Sequence, residues 1–88
     1  MRIEFDPKKA ASNLKKHSVS FEGAASCLLD PLALVRSDAD AVDESRLVLL
    51  GMGHAGRLLV VCHTLRGDEV IRLISARKAT KKEVKSYA

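Results

Sequence analysis

Between residues 46 and 77 the chain carries three stretches rich in Val, Ile and Leu: Arg46 to Met52, Arg57 to Leu65 and Val70 to Arg77. They are separated only by Gly53-His54-Ala55-Gly56 and Arg66-Gly67-Asp68-Glu69. Glycine beside small or polar residues is hairpin-turn chemistry, so an antiparallel meander is the expected arrangement. A meander buries one face against other elements, and the rest of an 88-residue chain must supply them within a single domain, residues 1–88.

The N-terminal half supplies two helices. Residues 2–5 alternate and read as a short strand. Asp6-Pro7 then forms an N-cap followed by proline at the first helical position, opening a basic helix to about Lys16. Ser20 is a second N-cap, with Val19 set to staple against Ala24, and Phe21, Ala24, Ala25 and Leu28 share one helical face. Asp30-Pro31 ends this helix. Leu32 to Arg36 reads as a further strand and Ser37 to Ser45 as an acidic loop. Near the C-terminus Thr80-Lys81-Lys82-Glu83 matches a capping box, so a last helix starts at Lys81 and carries Tyr87. The expected fold is α+β: an antiparallel sheet of about four strands with two N-terminal helices and one C-terminal helix.

Several functional classes are excluded. The longest apolar run, Leu58 to Cys62, is far short of the ~20 residues of a membrane span, and the N-terminus has no secretory apolar region, so a cytoplasmic location without membrane contact is expected. Cys27 and Cys62 lie in separate apolar stretches without metal-ligand spacing and read as reduced, buried thiols; neither metal nor cofactor is expected. Phosphate-binding glycine loops, dinucleotide fingerprints and hydrolase nucleophile motifs are absent from the sequence.

Charge is segregated. The net charge is +4, with basic termini flanking an acidic middle that contains Asp38, Asp40, Asp43 and Glu44. One surface should therefore attract polyanions, and the acidic segment should lie away from it or border a partner. If the two turns are the two-residue loops His54-Ala55 and Gly67-Asp68, Arg46 stands opposite His63 and His63 opposite Arg72. Such a row would repel itself unless an anion such as phosphate, or an acid such as Asp43 or Glu44, lay within it. Arg77 and Lys78 end the last stretch beside Lys81 and Lys82, forming a basic patch able to contact several phosphates. Lys15, Lys16 and His17 form another, where cations also complement the helix dipole. With three aromatic residues, Phe5, Phe21 and Tyr87, base stacking is limited to Tyr87.

Phe5-Asp6-Pro7, Asn13-Leu14-Lys15-Lys16-His17, Val19-Ser20-Phe21-Glu22, Asp43-Glu44-Ser45-Arg46, and the run from Ile71 to Thr80 together resemble the BrnT family of toxins over almost the whole chain. The resemblance implies a RelE-like fold, ribonuclease activity that arrests translation, and a BrnA-like ribbon-helix-helix antitoxin through which operator DNA is reached. It implies a hetero-oligomer with that antitoxin, and it matches Lys16, His17, Arg46, Arg72, Arg77 and Tyr87 to family positions associated with activity. His63 is added from the hairpin registers alone. The chain departs from the family at Ser18, where glycine is usual, and at Gly23, where glutamate is common. A non-catalytic nucleic-acid-binding subunit, working only with a DNA-binding partner, is the competing expectation.

Overall fold

A computed structural model describes residues 2–38 and 46–87. The order is β1 (Arg2–Glu4), α1 (Pro7–His17), α2 (Phe21–Cys27), β2 (Leu34–Ser37), β3 (Arg46–Met52), β4 (Leu58–Arg66), β5 (Val70–Lys78) and α3 (Lys81–Ser86). Strands β2 to β5 form the expected antiparallel succession, but the sheet has five strands in the order β1-β5-β4-β3-β2, and β1 runs parallel to β5. The sheet is therefore mixed, because the first strand pairs with the last, a contact between distant residues that local alternation does not encode.

The helix signals operate as expected. Asp6 accepts from the Lys8 amide at 2.9 Å and Ser20 from the Gly23 amide at 3.0 Å. Helix α1 ends in Ser18 at φ 57°, a left-handed conformation that favours glycine, so this chain holds a serine in a costly C-cap. Val19, Phe21, Ala24 and Cys27 enter the core against Leu49, Leu59, Val61, Leu73 and Ala76 of the sheet. Phe5 meets Phe21 edge-to-face at 5.3 Å.

Both hairpin loops are one residue longer than the expected two-residue turns. Met52 pairs with Leu58, and Gly53 N–H bonds Arg57 O across a loop in which Gly56 takes φ 76°. Arg66 pairs with Val70, with Gly67 at φ 69°. Three-residue loops with a left-handed glycine are the next most common hairpin closure. Each shifts its register by one, so Arg46 pairs with Thr64 and Thr64 with Arg72. Thr64, and not His63, stands between the two arginines. A one-residue slip exchanges the two faces of a strand, which sends His63 into the core between Leu47 and Leu73. A bulge beside Cys62 and His63 leaves Ile74 unopposed, since Cys62 pairs with Ser75 and His63 with Leu73.

Helices α1 and α2 cover one face of the sheet. Strand β1 borders only residues 70–72 of β5, and higher up α1 takes its place: the buried Asn13 side chain bonds the backbone of Ala76 as well as Val19 O. Helix α3 lies on the opposite face. Its capping box forms, with Thr80 Oγ1 accepting from the Glu83 amide and Glu83 from the Thr80 amide. Glu83 also receives two bonds from Arg77, at 2.8 and 3.0 Å, and the Tyr87 hydroxyl bonds the Asp30 carboxylate, so the helix is pinned at both ends.

Candidate functional site

The sheet face opposite α1 and α2 carries the arginines in three cross-strand rows. Arg46, Thr64, Arg72 and Glu4 form the first, on β3, β4, β5 and β1. Arg36, Val48, Cys62 and Ser75 form the second, and Leu34, Leu50, Val60 and Arg77 the third, each running from β2 to β5. Between these rows lies a concavity of about 280 Å³ whose walls include Arg36, Arg46, Arg77, Asp38, Cys62 and Ser75. Three guanidinium groups around one small cavity outnumber its single described carboxylate.

Their surroundings differ. Arg46 Nε is shielded from solvent, and among the described residues nothing accepts its N–H. A buried donor of that kind is costly until an acceptor reaches it. Arg77 is held by Glu83, whose side-chain hydrogen bonds and charge push the Arg77 pKa upward against the opposing effect of burial. The Arg77 bonds, more than any other cause, bring the Glu83 carboxyl down to about 2. Arg72 lies beyond the cavity wall and pairs at 3.3 Å with Glu4, which also takes Arg66. Among the described residues the acid within the Arg46–Arg72 row is Glu4, from the far end of the chain; the expected acids Asp43 and Glu44 lie outside the described residues. Asp38 lines the cavity itself, so of the two places expected for the acidic segment, away from the basic surface or bordering a partner, Asp38 does not take the first; Asp40 is also outside the described residues.

Burial holds the Cys62 thiol above its ordinary pKa, with Asp38 adding to the shift and Arg46 and Ser75 opposing it, so a neutral thiol and a hydroxyl form part of the wall. Cys27 is buried on the other side of the sheet, its thiol raised to about 11 by desolvation and then by Asp30.

Ile74 and Ser75 also line a smaller cleft of about 180 Å³ with Lys9, Ser12, Lys16 and His17 of α1. The bulge at Ile74 brings the strand edge between the two depressions, so the expected residues Lys16 and His17 meet the arginine cavity across one shared ridge. Lys15, Lys78, Lys81 and Lys82 are exposed, the last on α3 over the arginine face. The other expected residues stand apart. His63 is 4% exposed, and its pKa is lowered by desolvation, not by the arginines. Tyr87 is tied to Asp30, which also accepts from the Met52 amide, and lines neither depression.

Sequence reasoning does not single out Arg36, Ser75, Lys9 or Ser12, and it names Asp38 only as part of the acidic segment. For Arg36 the only signal is alternation with Leu34 in a four-residue strand, and that assigns no face until the pairing with β3 is known.

No helix among the described residues is long and apolar enough to cross a membrane. No curated protein matches the chain. Among solved structures it is similar to the Brucella abortus ribonuclease toxin BrnT, determined at 1.1 Å, with a TM-score of 0.72 and 25% identity over 92% of this chain and 99% of that one. Residues 5–83 match the family model described as the ribonuclease toxin BrnT of type II toxin–antitoxin systems. A family match spanning both helices, the meander and the capped end of the chain leads to one conclusion: the chain belongs to the BrnT family of ribonuclease toxins.

Proposed function

We propose that the chain is a metal-independent endoribonuclease that arrests translation and is neutralised by a BrnA-like ribbon-helix-helix antitoxin, with operator DNA contacted only through that antitoxin. The observation that carries the reading is the cavity ringed by Arg36, Arg46 and Arg77, in which Arg46 Nε has no acceptor among the described residues. A phosphodiester supplies an acceptor for that N–H and the negative charge, and fixed guanidinium groups stabilise the extra charge that develops as phosphorus becomes five-coordinate. In this reading the RNA 2′-hydroxyl attacks phosphorus and the P–O5′ bond breaks. One proton leaves the 2′-oxygen and another reaches the 5′-oxygen, leaving a 2′,3′-cyclic phosphate. His17 is the proton carrier of choice, because it is exposed at the ridge beside the cavity, while Lys16 and Lys9 hold the neighbouring phosphate. Arg72, one row away, contributes to the field felt by the RNA.

Purified protein incubated with RNA in EDTA tests this. Cleavage leaving cyclic phosphate ends, lost in Arg46→Ala, is the expected result. The pairing of Arg72 with Glu4 and of Arg77 with Glu83 favours the second reading, a non-catalytic RNA-binding subunit. Intact RNA with measurable binding in the same assay would establish it.

A further inference from the structure

Helix α3 and the arginine-bearing face enclose a groove of about 310 Å³ floored by Leu34, Val48, Leu50 and Val60. These side chains face outward from the sheet, and Leu34 is 45% exposed, an apolar floor where a lone domain would ordinarily be polar. Arg36 and Lys82 stand on its rim; the rim carboxylate, Glu83, is already committed to Arg77. Arg36, Val48 and Val60 also line the arginine cavity, so groove and cavity adjoin.

We propose that this groove is the docking site of the antitoxin, and that it receives a short segment with apolar side chains on one face followed by a carboxylate that enters the arginine cavity. Family membership supplies a protein partner, the floor selects apolar side chains, and the rim cations with the net charge of +4 select an acidic one. An occupant of both spaces covers Arg36 and Arg46, so the same contact that holds the antitoxin excludes RNA. The exclusion of RNA rests on the functional reading above; the docking does not.

Leu34 is the side chain to change, because it is exposed, outside the cavity wall and on an edge strand. Titrating the full chain into immobilised antitoxin, Leu34→Ser should weaken binding about tenfold, from the loss of one buried aliphatic group. Leu34→Asp should weaken it further, because it adds repulsion to an acidic segment. Leu65→Ser, at a leucine that is 55% exposed near the β4–β5 turn, should leave affinity unchanged. Wild-type affinity in both Leu34 variants, or equal loss in Leu65→Ser, overturns the proposal. So does a free chain that self-associates until Leu34→Ser makes it monomeric, since the occupant is then a second copy. Binding is read without enzymatic turnover. An inactive chain with Leu34-dependent affinity would overturn the ribonuclease reading alone, and an active chain with Leu34-independent affinity would overturn the docking site alone.

Discussion

The side-chain amide of Asn13 closes on Ala76 from both sides: Oδ1 accepts from the Ala76 N–H at 3.0 Å, and Nδ2 donates to the Ala76 carbonyl at 2.9 Å. One side chain thereby does what a neighbouring strand does for the free upper edge of β5, and it positions α1 beside the bulge. A second donation, to Val19 O at 2.9 Å, fixes the corner between α1 and α2. Asn13→Ala would leave these buried backbone groups without partners, at a cost of about 3 kcal/mol. Asn13→Asp should be worse, since a carboxylate faces two carbonyl oxygens. Chemical denaturation of both variants checks the order, and wild-type stability in either would show that the edge finds other partners.

The arginines should separate in cleavage assays. Arg46→Ala is expected to lower the rate about 100-fold, the scale of losing one buried donor to a developing anion, with little change in stability. Arg72→Ala should cost less, because its guanidinium lies outside the cavity and faces Glu4. Arg77→Ala should both slow cleavage and loosen α3. Arg77→Lys retains charge but not the two-pronged bond to Glu83, and so should resemble Arg77→Ala in thermal unfolding. An Arg72→Ala defect larger than that of Arg46→Ala would move the phosphate one row along the sheet.

Phosphate should distinguish the two histidines. His63 is enclosed on the core face, so its NMR titration should lie below the ordinary value of 6.5 and ignore added phosphate. The ring signals of His17, exposed on the α1 cleft, should move when phosphate binds there. Because the native state resists protonating His63, the unfolded state takes up that proton first as pH falls below about 6.5, and stability declines. That decline should shrink in His63→Gln. A His63 signal that moves with phosphate would mean that the β3–β4 register differs from the one described.

Acid should release α3. The Glu83 carboxyl is held at about 2 against an ordinary 4.5, so its contribution is complete above about 4.5 and is lost as pH falls toward 2. Asp30, lowered chiefly by the Met52 amide and then by Tyr87, acts in the same direction. Tyr87 is the single tyrosine in a chain without tryptophan, so intrinsic fluorescence reports this helix alone. Its signal should change through that acid range, and Glu83→Gln, which preserves a capping side chain, should remove much of the change. A Tyr87 signal constant down to pH 2 would show that the two carboxylates do not hold the helix.

Local chemistry was enough for the parts of this protein that are closed within a few residues. The caps at Asp6, Ser20 and Thr80 and the three strands of the meander follow from bonds and spacings that neighbouring residues make among themselves. Family membership was legible too, because its signature lies in contiguous runs. What only the tertiary structure decided is which residues face one another. Two loops, each one residue longer than the shortest turn, sent His63 inward and gave its place between Arg46 and Arg72 to Thr64; the outer arginines stayed aligned because both shifts fall on the strand between them. The parallel pairing of β1 with β5 brings Glu4 to Arg72, and the short β2 brings Arg36 to the cavity. These contacts span from ten to nearly seventy residues of chain, and their energies lie in pairing and burial that no single segment possesses until the sheet has formed.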